Sequence, residues 1–259
     1  MQFSFAVTNF SVLENAASAT VSVIRYGVTN LAGTVNYATS DGTATNGVDY
    51  VGVTNTLTFL PGVTNTNFTV AISDNQAVQL NRFLNLSLAS ATPTNIASVG
   101  TNGVATLTIV DNDSLIEFSA STFSVNESSS NATITVVRNG GGAGAVSVSY
   151  NTTGGSAVAG VDFTSVSNQL AWAAGDVAPK SFDVPVLPDS AVEGNETVVL
   201  TLLNPVGAAS LGRSTAVLTI VDDDFSPGAL GFSTNQFVVL ENLGNAVVTV
   251  VRTNGSTGP

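Results

Sequence analysis

Leu107-Thr108-Ile109-Val110-Asp111-Asn112-Asp113 returns later in the chain as Leu218-Thr219-Ile220-Val221-Asp222-Asp223-Asp224. Each copy is a run of alternating apolar and polar residues, the mark of a half-buried strand, and each stops in a cluster of acids. Working outward, four more blocks repeat in the same order. Phe10-Ser11-Val12-Leu13-Glu14 becomes Phe123-Ser124-Val125-Asn126-Glu127 and then Phe237-Val238-Val239-Leu240-Glu241, in steps of 113 and 114 residues. Val23-Ile24-Arg25 becomes Val136-Val137-Arg138 and Val250-Val251-Arg252, and Gly47-Val48-Asp49-Tyr50 becomes Gly160-Val161-Asp162-Phe163. The chain is therefore an array of similar units, read here as repeat 1 over 1–114, repeat 2 over 115–226 and the cut-short start of a third repeat over 227–259.

Within a unit the strand pattern is dense. Ala132–Val137, Ala145–Tyr150, Ser181–Val186 and Val217–Val221 alternate with period two, and Gly/Asn-rich turns such as Asn139-Gly140-Gly141-Gly142 separate them. About seven strands in roughly 110 residues predict an all-β fold of tandem seven-stranded antiparallel immunoglobulin-like sandwiches. Pro185 inside a strand pattern places that strand at an edge or a bulge, and Trp172 is expected to pack in the core or at its rim. The third unit holds two strands' worth of sequence, too little to bury a sandwich core by itself.

Composition excludes several functions. The 259 residues are 44% hydrophobic and 9% charged, with no Cys, no His and a net charge of −12. That balance is too apolar for disorder. It removes thiolate and imidazole zinc sites and the commonest general base. It also leaves no basic surface for nucleic acid. No apolar run is long enough to span a bilayer, so no direct membrane insertion is expected. Met1-Gln2-Phe3-Ser4-Phe5 has no leader character and runs into the first strand, which reads as a piece of a longer protein.

The carboxylates carry the functional signal. Of 18 acidic residues, most fall at repeat-matched positions: Glu14, Asp49, Asp74, Asp111 and Asp113 in repeat 1; Glu127, Asp162, Asp189, Glu193, Glu196, Asp222, Asp223 and Asp224 in repeat 2; Glu241 in the third. With strands A to G reversing direction at each turn, Glu127 closes A, Asp162 lies between C and D, Asp189 to Glu196 lie between E and F, and Asp222 to Asp224 close G. All four places emerge at one pole, so eight acids distant in sequence converge at one end of repeat 2. Like charges brought together repel by about 1 kcal/mol per contacting pair in water, and more when desolvated. A hard cation resolves this, and loops offering many oxygens suit Ca²⁺ better than the strict octahedron of Mg²⁺.

These residues resemble the Calx-beta family. The resemblance is carried by the Glu after the first strand, by Asp41-Gly42-Thr43-Ala44 with Gly47-Val48-Asp49-Tyr50, by the Asp189–Glu196 loop and by the closing Asp-rich run. It implies Ca²⁺ held at one pole, with the eight acids of repeat 2 as candidate ligands and Glu14, Asp49, Asp74, Asp111 and Asp113 as a weaker set. Repeat 1 departs from the pattern: Gln79 falls opposite Glu193, Arg82 opposite Glu196 and Asn112 opposite Asp223. Repeat 1 is thus expected to bind Ca²⁺ weakly or not at all, with Arg82 pointing away or pairing with Asp74.

Because each unit leaves for the next from its acidic pole, through Asp111–Ser114 and through Asp224–Gly228, bound Ca²⁺ is expected to stiffen the junctions. The resulting expectation is a non-enzymatic, calcium-binding structural or adhesion module of an extracellular or cell-surface protein. Its partners would be neighbouring repeats and a surface protein or glycan. A Ca²⁺-independent carbohydrate- or protein-binding repeat is the alternative.

Overall fold

A computed structural model describes residues 1–224 and 228–253. The expected hand-over segment after Asp224 falls partly on residues 225–227, outside the described residues. Repeat 1 contains β1 (Gln2–Phe5), β2 (Asn9–Leu13), β3 (Ser18–Tyr26), β4 (Gly33–Asp41), β5 (Thr54–Phe59), β6 (Asn65–Ala71), β7 (Arg82–Thr92), β8 (Ser98–Val99) and β9 (Val104–Val110). Repeat 2 follows with β10 (Ser114–Phe118), β11 (Thr122–Asn126), β12 (Asn131–Gly140), β13 (Val146–Gly154), β14 (Ser167–Trp172), β15 (Lys180–Pro185), β16 (Glu196–Val206), β17 (Ala209–Leu211) and β18 (Thr215–Val221). Beyond them lies one antiparallel pair, β19 (Ala229–Phe232) with β20 (Val250–Thr253).

Each repeat is a two-sheet sandwich. One sheet runs β6-β3-β1-β8 in repeat 1 and β15-β12-β10-β17 in repeat 2; the other runs β2-β9-β7-β4-β5 and β11-β18-β16-β13-β14. The seven-stranded reading is refined in one respect. The first strand is divided between the sheets, and its second half pairs parallel with the last strand, β2 with β9 and β11 with β18. Alternation decides which face goes inward: β12 buries every second residue along Ala132, Ile134, Val136 and Arg138. β15 sits at a sheet edge, where Pro185 costs no interior ladder bond.

The two cores are separate. Phe3, Phe5, Val21, Phe59, Leu84 and Leu107 fill the first, and Ile116, Phe118, Ile134, Trp172, Leu200 and Leu218 fill the second. Trp172 is buried, and its indole N–H donates to the Ala178 carbonyl at 2.7 Å, which satisfies its polar edge. An aromatic stack bridges the two sheets at the same place in both repeats: Tyr37 on Phe68 at 3.9 Å and Tyr150 on Phe182 at 3.8 Å between ring centroids. In the third unit, Leu230, Phe232, Val238 and Val247 are exposed. Among the described residues no helix is long and apolar enough to cross a membrane.

Candidate metal centre

The strand directions bring the ends of β11, β13, β15 and β18, and the start of β16, to one pole of repeat 2. The loop after β13 is built around glycine and a self-folding aspartate. Gly160 adopts φ +86°, where a side chain would be strained, and donates to the Phe163 carbonyl at 2.8 Å. Asp162 then folds back, and its Oδ2 accepts from the Val158 amide at 2.6 Å. Repeat 1 does the same, with Gly47 at φ +82° and Asp49 Oδ2 accepting from Thr45 N at 2.7 Å. The Gly-Val-Asp block exists because this turn requires it, and the turn presents the aspartate to the pole.

Six of the eight acids of repeat 2 form two groups. Glu127, Asp222 and Asp224 bring carboxylate oxygens within 4.8 Å of one another, and so do Asp162, Glu193 and Glu196. That spacing fits oxygens arranged around a Ca²⁺ ion with ligand distances of about 2.3–2.6 Å. Asp189 lies between the groups. Its amide donates to Glu127 Oε1 at 3.1 Å, and its charge acts on Glu127, Glu193 and Asp224. Asp223 turns aside and accepts from the Ser128 amide and hydroxyl.

The electrostatics match this crowding. Burial, the hydrogen bond to Asp162 and the charges of Asp162 and Glu193 push the Glu196 carboxyl up to about 7. The charge of Asp189 raises Glu193, and burial raises Glu127 and Asp224. Asp222 moves the other way, because the amides of Gly194 and Asp224 stabilise its anion. The bases of repeat 2 lie elsewhere: Lys180 pairs with Asp176, Arg213 donates to the Phe118 carbonyl, and Arg138 gathers backbone carbonyls.

Repeat 1 divides into a kept half and an altered half. Glu14, Asp111 and Asp113 form a three-acid group like Glu127, Asp222 and Asp224, and all three are buried, at 2%, 4% and 3% exposure. Burial lifts Glu14, and burial with the charges of Asp111 and Asp74 pushes the Asp113 carboxyl up to about 6. At the other corner, Arg82 Nη1 sits 2.5 Å from Asp49 Oδ1, where repeat 2 sets Glu196 against Asp162. The partner of Arg82 is thus Asp49 and not Asp74. The segment leading into the Asp49 turn is tied to the start of β7, where Ala44 N donates to the Phe83 carbonyl at 2.8 Å and Phe83 N donates to Thr43 Oγ1 at 2.9 Å.

Sequence reasoning also missed the role of Asn75. Ala77 N donates to Asn75 Oδ1 as Ala191 N donates to Asp189 Oδ1, so Asn75 holds the place of Asp189. Asn75 donates to Glu14 Oε1, whereas Asp74, one residue earlier, is exposed. The available signal was a change in repeat spacing: the isolated bridges Tyr50↔Ile72 and Phe163↔Val186 place Ile72 opposite Val186, 114 residues on.

A tandem of β-sandwiches that gathers carboxylates at one pole, from the A, C–D, E–F and G segments in repeat 2 and from A, C–D and G in repeat 1, defines the class. The Calx-beta domain family matches residues 1–113, 111–224 and 223–258, and the chain belongs to that family. Among curated relatives, it is 28% identical over 191 residues to the Sodium/calcium exchanger Calx of Drosophila melanogaster, covering 73% of this chain and 20% of that protein. It is 29% identical over 224 residues to Sodium/calcium exchanger 3 of Mus musculus, covering 78% of this chain and 24% of the relative. The chain thus spans about a quarter or less of the length of these relatives. Among solved structures, the crystal structure of CBD12 from CALX1.2 covers 85% of this chain and 100% of its own, at 23% identity and a TM-score of 0.47.

Proposed function

We propose that this chain is a non-enzymatic, Ca²⁺-binding tandem module whose ions sit at the acidic poles and stiffen the junctions between repeats. The observation that carries this is the pair of three-carboxylate groups at the repeat 2 pole, gathered from four separate segments. Acids placed so closely destabilise the metal-free fold, and a cation seated among them turns that repulsion into attraction. The sequence relatives named sodium/calcium exchangers agree with a calcium-linked role. Glu127, Asp222 and Asp224, with Asp189 beside them, would hold one ion; Asp162, Glu193 and Glu196 would hold another.

Ion binding ties the ends of β11 and β18 to the loops after β13 and β15. It adds about 2.7 kcal/mol of stability when free Ca²⁺ stands at one hundred times its dissociation constant. We place the module in a multi-repeat protein of the cell surface or extracellular space, where such a string of sandwiches would project or present a further domain. The acids form metal-type groups of three rather than a single acid–base pair, which supports a binding role over catalysis. The test is calorimetric titration of Ca²⁺ into the chain and into its Glu193→Gln/Glu196→Gln variant. Loss of the part of the binding heat and of the Ca²⁺-induced rise in melting temperature that belongs to the ion among Asp162, Glu193 and Glu196 is expected in the variant; unchanged heats would remove the reading.

A further inference from the structure

β7 and β9 bury Leu84, Leu86, Ala105 and Leu107 toward the core, so their alternate residues form the outer face of the five-stranded sheet of repeat 1. Three rows cross that face. The first joins Phe83, Thr108 and Ser11, the second joins Ser40, Asn85, Thr106 and Asn9, and the third joins Ala38, Ser87 and Val104. Successive rows lie about 7 Å apart along the strands. No member of any row is charged, in a chain of net charge −12. A shallow groove lined by Thr8, Ser40, Asn85, Ser87, Val104 and Thr106 lies along the second and third rows.

Beside the groove, in the first row, an aromatic ring is held in place. Phe83 is 37% exposed, and its ring lies across Gly42. A Cβ at Gly42 would stand 2.5 Å from Phe83 Cε2 and 2.7 Å from Cδ2, so only a residue without a side chain admits the ring there. The backbone beneath is fixed on both sides, by Ala44 N donating to the Phe83 carbonyl and by Phe83 N donating to Thr43 Oγ1.

The polar groups next to the ring are fixed as well, with hydrogen-bonding capacity left over. Asn85 Nδ2 donates to the Asp41 carbonyl at 2.9 Å, which holds the amide and leaves Oδ1 as an acceptor. Thr106 Oγ1 donates to Asn9 Oδ1 at 3.0 Å, which leaves the Thr106 lone pairs to accept. The Ser40 side chain is exposed at the end of the same row. Repeat 2 lacks this set: Thr197 and Val199 stand in the places of Phe83 and Asn85, and Val217 in that of Thr106.

We propose that this face of repeat 1 is a binding site for an uncharged glycan, with the C–H face of one pyranose ring on Phe83 and its hydroxyls bonded to Ser40, Asn85 and Thr106. A sugar ring is apolar on its faces and polar around its rim. An aromatic platform beside fixed amide and hydroxyl groups matches both at once. Charge decides the class of glycan. An acidic one would meet a chain of net charge −12 with no base at the site, since the neighbouring Arg82 is engaged by Asp49. An apolar protein surface would leave the amides and hydroxyls of the rows unpaired, at a cost for each group buried. A neutral glycan carries neither penalty. The site lies on the flank of the sandwich and uses none of the pole carboxylates, so it goes beyond the Ca²⁺ reading and does not rest on it.

The test is calorimetric titration of the full 259-residue chain in EDTA. The probes are cellohexaose, laminarihexaose, maltohexaose, mannohexaose and chitohexaose, with hexagalacturonate as the acidic control. At least one neutral probe should bind with a dissociation constant of about 1 mM or tighter, and hexagalacturonate should not bind. Phe83→Ala should weaken that binding roughly tenfold, and Ser40→Asp, an exposed change that adds charge beside the groove, roughly fivefold. Phe83→Tyr, which keeps the platform, should retain it, and Thr197→Ala in repeat 2 should leave it unchanged. Absence of binding by every neutral probe, equal binding in the parent, Phe83→Ala and Ser40→Asp, or binding that appears only when Ca²⁺ is added overturns the proposal. So does a parent chain that sedimentation shows to be a dimer and Phe83→Ala turns into a monomer, since the face would then join two copies. None of these outcomes touches the Ca²⁺ reading of repeat 2, and a chain that binds the glycan but no Ca²⁺ overturns that reading alone.

Discussion

The C–D corner of repeat 1 and the C–D corner of repeat 2 are the same turn with opposite electrostatics. In both, an aspartate accepts from the backbone amide four residues before it, Thr45 or Val158, and also meets the first residue of β7 or β16. In repeat 1 that residue is Arg82, and the corner is closed by an ion pair between side chains 22% and 5% exposed. In repeat 2 it is Glu196, and the corner is an acid pair joined by Glu193. One repeat carries its cation as a covalent part of the chain; the other must recruit one. The lesson is that charge complementarity at this corner is required by the fold, while its source is free to change.

That contrast can be broken directly. The largest effect is expected from removing the built-in cation. Arg82→Ala leaves Asp49 buried and unpaired and should destabilise repeat 1 by about 3 kcal/mol, read as a shift in the urea midpoint; Arg82→Glu should make that loss recoverable with Ca²⁺. The converse exchange, Glu196→Arg, should raise the metal-free melting temperature of repeat 2 by several degrees, about 1–2 kcal/mol at the midpoint. It should also abolish the part of the Ca²⁺ response that depends on Glu193. A melting temperature that falls, with the Ca²⁺ response intact, would show that the corners are not interchangeable.

A smaller effect sharpens the comparison through pH. The Glu196 carboxyl rises to about 7 in the folded chain from an ordinary 4.5, so between these values the folded state holds a proton that the unfolded state has lost. Stability of metal-free repeat 2 should therefore fall as pH rises from about 5 to 7 and level off above it. Saturating Ca²⁺ should reverse the trend, since the ion competes with the proton. Thermal melts at pH 5.5 and 7.5, with and without Ca²⁺, check the sign. The smallest effect concerns a second exchange between the repeats. Tyr50 donates to Asp41 at 2.7 Å, where repeat 2 has Phe163 and Gly154, and Tyr50→Phe should cost about 1 kcal/mol with no change in Ca²⁺ affinity.

Much of this was legible in the sequence, for physical reasons. Strand parity needs only the alternation of apolar residues and the positions of turns, so the convergence of Glu127, Asp162, Asp189 to Glu196 and Asp222 to Asp224 on one pole followed without coordinates. The opposition of Arg82 to Glu196 followed from aligning two strands. What stayed hidden depends on rotamers and on register. Arg82 has several acids within reach, and only the fixed turn at Asp49 selects one. The 114-residue offset that sets Gln79 opposite Glu193 puts Asn75, and not the repeat-matched acid Asp74, opposite Asp189. The division of the first strand between two sheets leaves no mark on the alternation of Phe123-Ser124-Val125. The lie of the Phe83 ring across Gly42 depends on a rotamer and on a neighbouring segment, which the alternation of a single strand does not encode.

The most direct measurement is a crystal structure of the chain grown with Ca²⁺, with the ions located by their anomalous scattering. Ions are expected among Glu127, Asp222 and Asp224 and among Asp162, Glu193 and Glu196, with none beside Asp49, where Arg82 already stands. A repeat 2 pole that stays empty at saturating Ca²⁺, with its six carboxylates turned apart, would contradict the account.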